Sequence, residues 1–492
     1  MAQAELLPEV QKFVEAPKMV IGGKSVDATS GELFDVVNPA TGQTFTQVPK
    51  GGVPDVDAAV QAAREAHEDR RWAGLRPGKR TEVLFKLGEL IKRNISELAQ
   101  LESLDSGKPV SLASGEMWAA GEVFRYYAGW PTKTFGETNP TDDNMFSYTL
   151  REPVGVCGGI IPWNFPLIMA AWKIAPALAF GNTVVLKPAE QTPLTAIRLG
   201  ELCLEAGVPD GVVNVVAGFG PEAGQALAQH PHVDKIAFTG STEVGRKILH
   251  ASEGNLKRVT LELGGKSPNI VFSDANMKRA SVGSMYGVFL NSGQVCTAGT
   301  RILVEKAAHD DFVQSLIDST AKMKLGDPLE ENTQMGPVVS QEQLERVTGY
   351  IEIGRSEGAE VAVGGERATE LGDGYFVQPT IFTGVRNDMR IAQEEIFGPV
   401  AAVIEVEDVD EAIRVANDTI YGLAAAVWTN DVSKAHRVAR GIKAGTVWVN
   451  TAGNVDPAIS FGGYKQSGFG RELGKHSMET YTQTKSVWVN LK

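Results

Sequence analysis

Along the segment "RTEVLFKLGELIKRNISELAQLESLDSGKP", apolar residues stand at Leu84, Leu87, Ile91, Ile95 and Leu98 among polar ones. That spacing puts them on the face of one helix, and Gly107 and Pro109 supply its stop. After residue 150 the pattern changes. Short apolar runs, "VGVCGGII", "TVVLKP", "VVNVV" and "VDKIAFTG", alternate with helical patterns from Pro193 to Ala206, after Pro221 and from Glu243. Strand-like runs separated by crossover-length helices predict a parallel, doubly wound sheet. A second series, "NIVF", "RILVEK", "AEVAVGG", "PVAAVIEV", "LAAAVWT" and "GTVWVN", begins beyond about residue 265 and predicts a second α/β domain. The glycine-rich "ELGGKSPN" between the two series offers a turn where the chain passes from one core to the next. Two alternating stretches, "FSYTLREP" and "TKSVWVNL", belong to neither series. They read as arms whose open edges pair with another subunit, or else as extensions of their own sheets.

At 492 residues the chain exceeds one ordinary core and fits roughly two to four folding units. Its 43% hydrophobic and 22% charged content is that of a soluble globular protein. A formal net charge of −13 without a local basic patch argues against nucleic acid and anionic membranes as partners. The opening residues lack the basic start and apolar core of a secretory signal, so export is not expected. The longest apolar candidate, "LIMAAWKIAPALAF", is broken by Lys173 and Pro176, so no membrane span is predicted. Three cysteines, Cys157, Cys203 and Cys296, cannot build a disulfide framework and are too scattered for a metal site, which points to a reducing cytoplasm.

The chemistry-bearing stretches each admit two readings. No convincing GxGxxG follows a strand. In "KIAFTGSTEVG" a strand turns at Gly240 and enters a helix through Ser241, Thr242 and Gly245, where amides and hydroxyls can meet a pyrophosphate. Strand, glycine and N-cap are also ordinary punctuation. Lys187 and Glu190 follow the strand of "TVVLKPAEQTP", at the edge where open parallel sheets bind ligands. A carboxylate there favours the free ribose hydroxyls of NAD; the alternative is a solvated ion pair.

Cys296 stands in "NSGQVCTAG", between Gly293 and Gly299, where turn amides favour a thiolate and missing side chains leave room for a carbonyl. Cys157 and Cys203 fall in apolar patterns and read as packed core thiols. No histidine offers itself as a base, since His230 and His232 sit in a polar loop, and a cysteine–histidine hydrolase is thereby disfavoured. Glu262, between Leu261 and Leu263, would have a raised pKa in that apolar setting and serve as a general base, or it forms a structural salt bridge. In "IIPWNFPLIMAAWK" two prolines fix the loop around Asn164, whose amide can donate to a developing oxyanion, or the loop is only a proline-bounded turn.

Together "PWNFP", "FTGSTEVG", "LELGGKSP", "GQVCTAG", "EEIFGPV" and "FGGYKQSGFGREL", in this order, resemble the aldehyde dehydrogenase superfamily over nearly the whole chain. The match is to its NAD-preferring, hydrolytic branch. The resemblance implies an α/β fold with three parts. These are a Rossmann-type cofactor domain over residues 1–134 and 154–264, a catalytic domain over 265–464, and an oligomerisation arm of strands over 135–153 and 465–492. It also implies a nucleophile at Cys296, an oxyanion held by Asn164 and the Cys296 N–H, a general base at Glu262, and a proton relay through Lys173 and Glu472. NAD would be held by Lys187 and Glu190 at the adenosine ribose, by Gly240, Ser241 and Gly245 at the pyrophosphate, and by Glu395 and Phe397 at the nicotinamide ribose, with Trp163 in the same pocket. A homo-oligomer, dimer or tetramer, is expected.

Matching of motifs gives an aldehyde tunnel of Phe165, Met169, Trp172, Val295 and Phe461, apolar enough for an apolar aldehyde. Val455 stands where acetaldehyde and retinal relatives tend to carry a bulky aromatic, so "NTAGNVDPAISFGG" looks closer to phenylacetaldehyde-type members. An aromatic or medium-chain aldehyde is the expected substrate; a betaine-type or short aliphatic aldehyde is the alternative. A coenzyme A-acylating relative usually lacks the glutamate found here at position 262. Two readings of other classes are a cofactor-independent thiol esterase and a non-catalytic scaffold of the same fold.

Overall fold

The structure, a computed structural model, describes residues 5–492. Among these residues the strands form two large sheets, a three-stranded sheet and a two-stranded hairpin. The first sheet runs in the order Gly468–Phe469, Arg258–Glu262, Lys235–Thr239, Val156–Ile160, Thr183–Lys187, Val213–Val215, Met19–Ile21 and Lys24–Val26. Its five central strands are parallel. The edges depart from the expected all-parallel sheet, because the N-terminal strands and Gly468–Phe469 join antiparallel. Short segments that arrive from outside the crossover series need no helix to reverse them, so nothing enforces parallel pairing there.

Among the parallel strands, chain order starts at the central Val156–Ile160, moves outward through Thr183–Lys187, and returns on the other side at Lys235–Thr239. The reversal opens a crevice at the carboxyl ends of the central strands, the usual ligand edge of such a sheet. Helices cover both faces. A Cβ on Gly158 would meet Leu227, whereas one on Gly159 would approach Lys173 on the opposite face. Burial on both faces explains why these strands read as continuous apolar runs.

The second sheet runs Glu360–Val363, Thr380–Thr383, Val400–Val406, Arg301–Glu305, Pro268–Val271, Ala424–Trp428 and Thr446–Val449. It is parallel except at Glu360–Val363. The chain leaves the first sheet at Glu262 and enters the second at Pro268.

The helix read from Arg80 is two helices, Pro77–Arg93 and Ile95–Ser106. Asn94 separates them, because its side-chain amide donates to the Leu90 carbonyl at 2.8 Å and competes with the regular backbone ladder. Leu84, Leu87, Ile91 and Leu98 are nonetheless fully buried, worth about 1.5–3 kcal/mol each on burial. The second helix ends at Gly107 in the left-handed region, φ 75°.

The two orphan stretches pair with each other. Thr482–Asn490 lies antiparallel to Met145–Pro153 along its full length, and Thr138–Asn139 adds a third strand. Strands far apart in sequence thus satisfy one another's edges, leaving Thr482–Asn490 as an outer strand of this sheet. The segment before it, from Lys465 to Tyr481, lies outside this sheet: Gly468–Phe469 belongs to the first large sheet and Glu472 to the site described next.

Candidate active site

The carboxyl edge of the first sheet faces the amino edge of the second. Asn164 follows the strand Val156–Ile160, and Cys296 precedes Arg301–Glu305. The Asn164 amide donates to the Gln294 carbonyl at 2.8 Å, tying the two loops together. The Asn291 amide donates back to the Asn164 carbonyl at 3.0 Å. An amide nitrogen carries two protons, so after this tether Asn164 retains one donor beside the cysteine loop.

That loop is shaped by left-handed residues at Asn291, Ser292 and Gly293, with φ of 49°, 57° and 71°. The Gln294 amide donates to Asn291 O at 3.1 Å, and its carbonyl oxygen accepts from the Val339 N–H at 2.9 Å. Asn291 escaped the sequence reading, although asparagine before Ser-Gly is a recognisable left-handed signal. Gly265 is required by close approach, since a Cβ there would stand 2.4 Å from the Cys296 carbonyl oxygen.

Cys296 is partly exposed, whereas Cys157 and Cys203 are buried. Burial pushes the Cys296 thiol up to about 12, helped by the Glu395 and Glu262 carboxylates and opposed by its own and Thr297's N–H groups. The turn amides read from the sequence do favour the thiolate, but in this resting arrangement the opposing effects are larger.

Glu262 ends its strand, 4% exposed, and neither carboxylate oxygen has a hydrogen-bond partner. It is therefore not a structural salt bridge. Burial and the neighbouring Glu472 hold its carboxyl well above the ordinary range, against the pull of Lys173, Arg471 and the Gly463 N–H. Behind it, buried Lys173 donates to Glu472 and, at 2.7 Å, to the Thr239 hydroxyl. Glu472 keeps its other oxygen free and exchanges backbone hydrogen bonds with Phe461 at 2.7 and 2.8 Å. Glycine at 462 leaves room for Glu262, whose oxygen would lie 2.8 Å from a Cβ there.

The residues assigned to a dinucleotide line the same edge. Lys187 is buried at the end of its strand and donates to Glu190 at 3.0 Å; burial lowers its pKa, and Glu190 partly restores it. Ser241 caps the helix Thr242–Ala251, its hydroxyl accepting from the Val244 N–H at 3.2 Å, while exposed to solvent. Gly245 is forced by Leu263, 2.6 Å from a hypothetical Cβ, and Gly240 by Phe238 at 2.5 Å. Glu395 accepts from the Gly265 N–H at 2.9 Å, and burial pushes its carboxyl up to about 7. Phe397, at φ 62°, stacks edge-on against Trp163 with centroids 5.1 Å apart. A solvent-facing capped helix end, a half-buried carboxylate beside a lysine and a second carboxylate near the thiol fit a dinucleotide's phosphates and two riboses.

Trp172 and Phe461 meet at 5.3 Å, Met169 is buried beside them, and Phe165 and Cys296 pack on the same apolar cluster. Val295 and Thr297, on either side of Cys296, line a cavity of about 110 Å³ with Tyr286, Leu290 and Trp448. Val455 is 50% exposed on the loop after Thr446–Val449.

Comparison with known proteins adds an independent line. The profile of the Aldehyde dehydrogenase family matches residues 25–487. An aldehyde dehydrogenase of Agaricus bisporus is 50% identical, covering 96% of this chain and 95% of its own. The NAD+ complex of an aldehyde dehydrogenase from Bacillus cereus superposes with a TM-score of 0.97 at 50% identity, over 99% of both chains. An indole-3-acetaldehyde dehydrogenase in complex with NAD+ gives 0.96 at 44% identity, over 98% of both.

Proposed function

The chain belongs to the aldehyde dehydrogenase family, and on that premise we propose that it oxidises an aromatic or medium-chain aldehyde to the carboxylic acid, with NAD as cofactor and Cys296 as nucleophile. The observation that carries the reading is the convergence of Cys296, Asn164 and an unpartnered Glu262 where the two sheets face each other.

Cys296, once deprotonated, attacks the aldehyde carbon through Sγ. The remaining Asn164 amide proton and the Cys296 N–H hold the oxyanion that forms. Lys187, Glu190, Ser241, Glu395 and the glycine turn at Gly240 and Gly245 would hold NAD, which when bound would supply the hydride acceptor. Loss of the hydride from the former aldehyde carbon, as its oxyanion re-forms the carbonyl, leaves an acyl thioester on Cys296. Glu262 then takes a proton from water, whose oxygen attacks the acyl carbon and releases the acid and the thiol. A carboxyl with a raised pKa and no fixed partner is suited to this role, and Lys173 with Glu472 carries the proton away. Exposed Val455 in place of a bulky wall, together with the likeness to an indole-3-acetaldehyde dehydrogenase, supports a tunnel for an aromatic group. The open outer strand Thr482–Asn490 supports assembly into a dimer or tetramer, and three unpaired cysteines support a cytoplasmic setting.

NADH formation by wild type and Glu262→Gln, over short, medium-chain, aromatic and ammonium aldehydes, tests the scheme. Glu262→Gln should give one burst of NADH per site and then slow by about 10²–10⁴-fold. Full steady turnover by that variant would remove Glu262 from the reaction. Preference for acetaldehyde over phenylacetaldehyde would remove the substrate class.

A further inference from the structure

Another buried lysine lies against the start of the helix that carries Lys173. Lys108 has no exposed side-chain surface, and its ammonium donates to Glu102 at 2.7 Å and to Glu116. It also stands over the Phe165 ring, 4.5 Å from the centroid. Nothing in the chemistry above uses it, yet a charge held out of water is retained only with close partners.

We infer that Lys108 is a positioning residue for the aldehyde tunnel, its ammonium, anchored by Glu102 and Glu116, fixing the Phe165 ring and so deciding which aldehydes fit. The inference rests on the reading of Phe165 as tunnel wall. A cation over a ring face, shielded from water, is attracted more strongly than at the surface. Phe165 is the N-cap of the helix Pro166–Ala179: its carbonyl accepts from the Met169 N–H at 3.0 Å, while its own backbone is non-helical, at ψ 63°. The cation over its ring adds a contact that the helix start does not supply. The same ion cluster holds the helix start, because Glu102's other oxygen accepts from the Leu167 N–H and from the Thr195 hydroxyl, both at 3.2 Å. The cluster is also fixed against the cysteine loop. A Cβ on Gly107, next to Lys108, would stand 2.7 Å from Pro337, and the preceding Gly336 carbonyl accepts from the Ser292 hydroxyl at 2.8 Å. Ring, helix start and nucleophile loop thus share one buried anchor.

The test compares wild type with Lys108→Met, Lys108→Arg, Glu116→Gln and Phe165→Leu, using acetaldehyde and phenylacetaldehyde as probes and measuring kcat and KM separately. Lys108→Met should raise the KM for phenylacetaldehyde about tenfold, leaving kcat and the acetaldehyde KM within about twofold. Lys108→Arg, which keeps the charge over the ring, should restore most of the preference. Glu116→Gln, which removes one anchor, should move the same KM about two- to threefold. If Lys108→Met does not fold, Glu116→Gln and Lys108→Arg decide. An unchanged aldehyde preference, or equal losses on both aldehydes, overturns the inference. A changed preference in Phe165→Leu without one in the Lys108 and Glu116 variants overturns it while the tunnel reading stands. No change in Phe165→Leu removes the tunnel reading, and this inference with it.

Discussion

Cys157 and Cys296 are both held protonated by burial, each pushed up to about 12, yet they occupy opposite kinds of place. Cys157 sits inside the central strand Val156–Ile160, closed in on both faces and paired in register with Lys235. Cys296 sits on an irregular loop, partly open, with Asn164 tied to the residue two before it and Gly265 pressed on its carbonyl. Proton affinity alone does not separate the proposed nucleophile from a packed core thiol. What separates them is reach, together with neighbours whose hydrogen-bonding capacity is still unspent: the second Asn164 proton, both Glu262 oxygens and one Glu472 oxygen. Single unpartnered atoms occur in the core too, such as Thr183 Oγ1 and Ser103 Oγ, so the mark of the candidate site is that several converge beside an accessible thiol.

The comparison breaks most sharply on activity. Cys296→Ala should lower NADH formation by about 10⁴-fold or more, because no other group can form the acyl intermediate. Cys157→Ala should keep kcat/KM within about twofold and cost about 1 kcal/mol of stability, read from urea unfolding. Equal losses in both variants would end the distinction.

Alkylation sharpens it. In the native protein iodoacetamide should label Cys296 and spare Cys157 and Cys203, as located by peptide mass spectrometry. Glu395 raises the Cys296 thiol, so removing its charge in Glu395→Gln should lower that pKa and speed labelling at fixed pH about three- to tenfold. No acceleration would mean that Glu395 does not face the thiol in solution.

The smallest effect is on alkaline stability. Cys157 and Cys203 are raised from an ordinary 9.0 to about 12. Between about pH 9 and about pH 12 the unfolded chain therefore binds fewer thiol protons than the folded one, and stability falls as pH rises. The paired variant Cys157→Ala and Cys203→Ala should flatten this slope between pH 8 and pH 10, measured by urea midpoints. An unchanged slope would place the alkaline loss elsewhere.

Much of this was legible in one dimension. Glycines forced by a single neighbour, such as Gly240 and Gly245, stood out beside their strand, and Glu262 between two leucines announced its own desolvation. The break at Asn94 was less legible, because the apolar spacing runs unbroken through it and one side-chain hydrogen bond decides the matter. The arms looked like strands seeking a partner, but nothing local said that the partner was the other arm.

By itself, then, the sequence determined what neighbouring residues impose on one another: strands and helices through periodicity, turns through glycine and proline, the kinds of side chain offered for chemistry. Only the tertiary structure decided which of them meet. Lys173 finds Glu472 across 299 residues, and Lys108 reaches the Phe165 ring from the turn between the helices Ile95–Ser106 and Val110–Ala128. Such pairings depend on how two sheets and their helices pack, and packing is a property of the whole chain that no short window of residues contains.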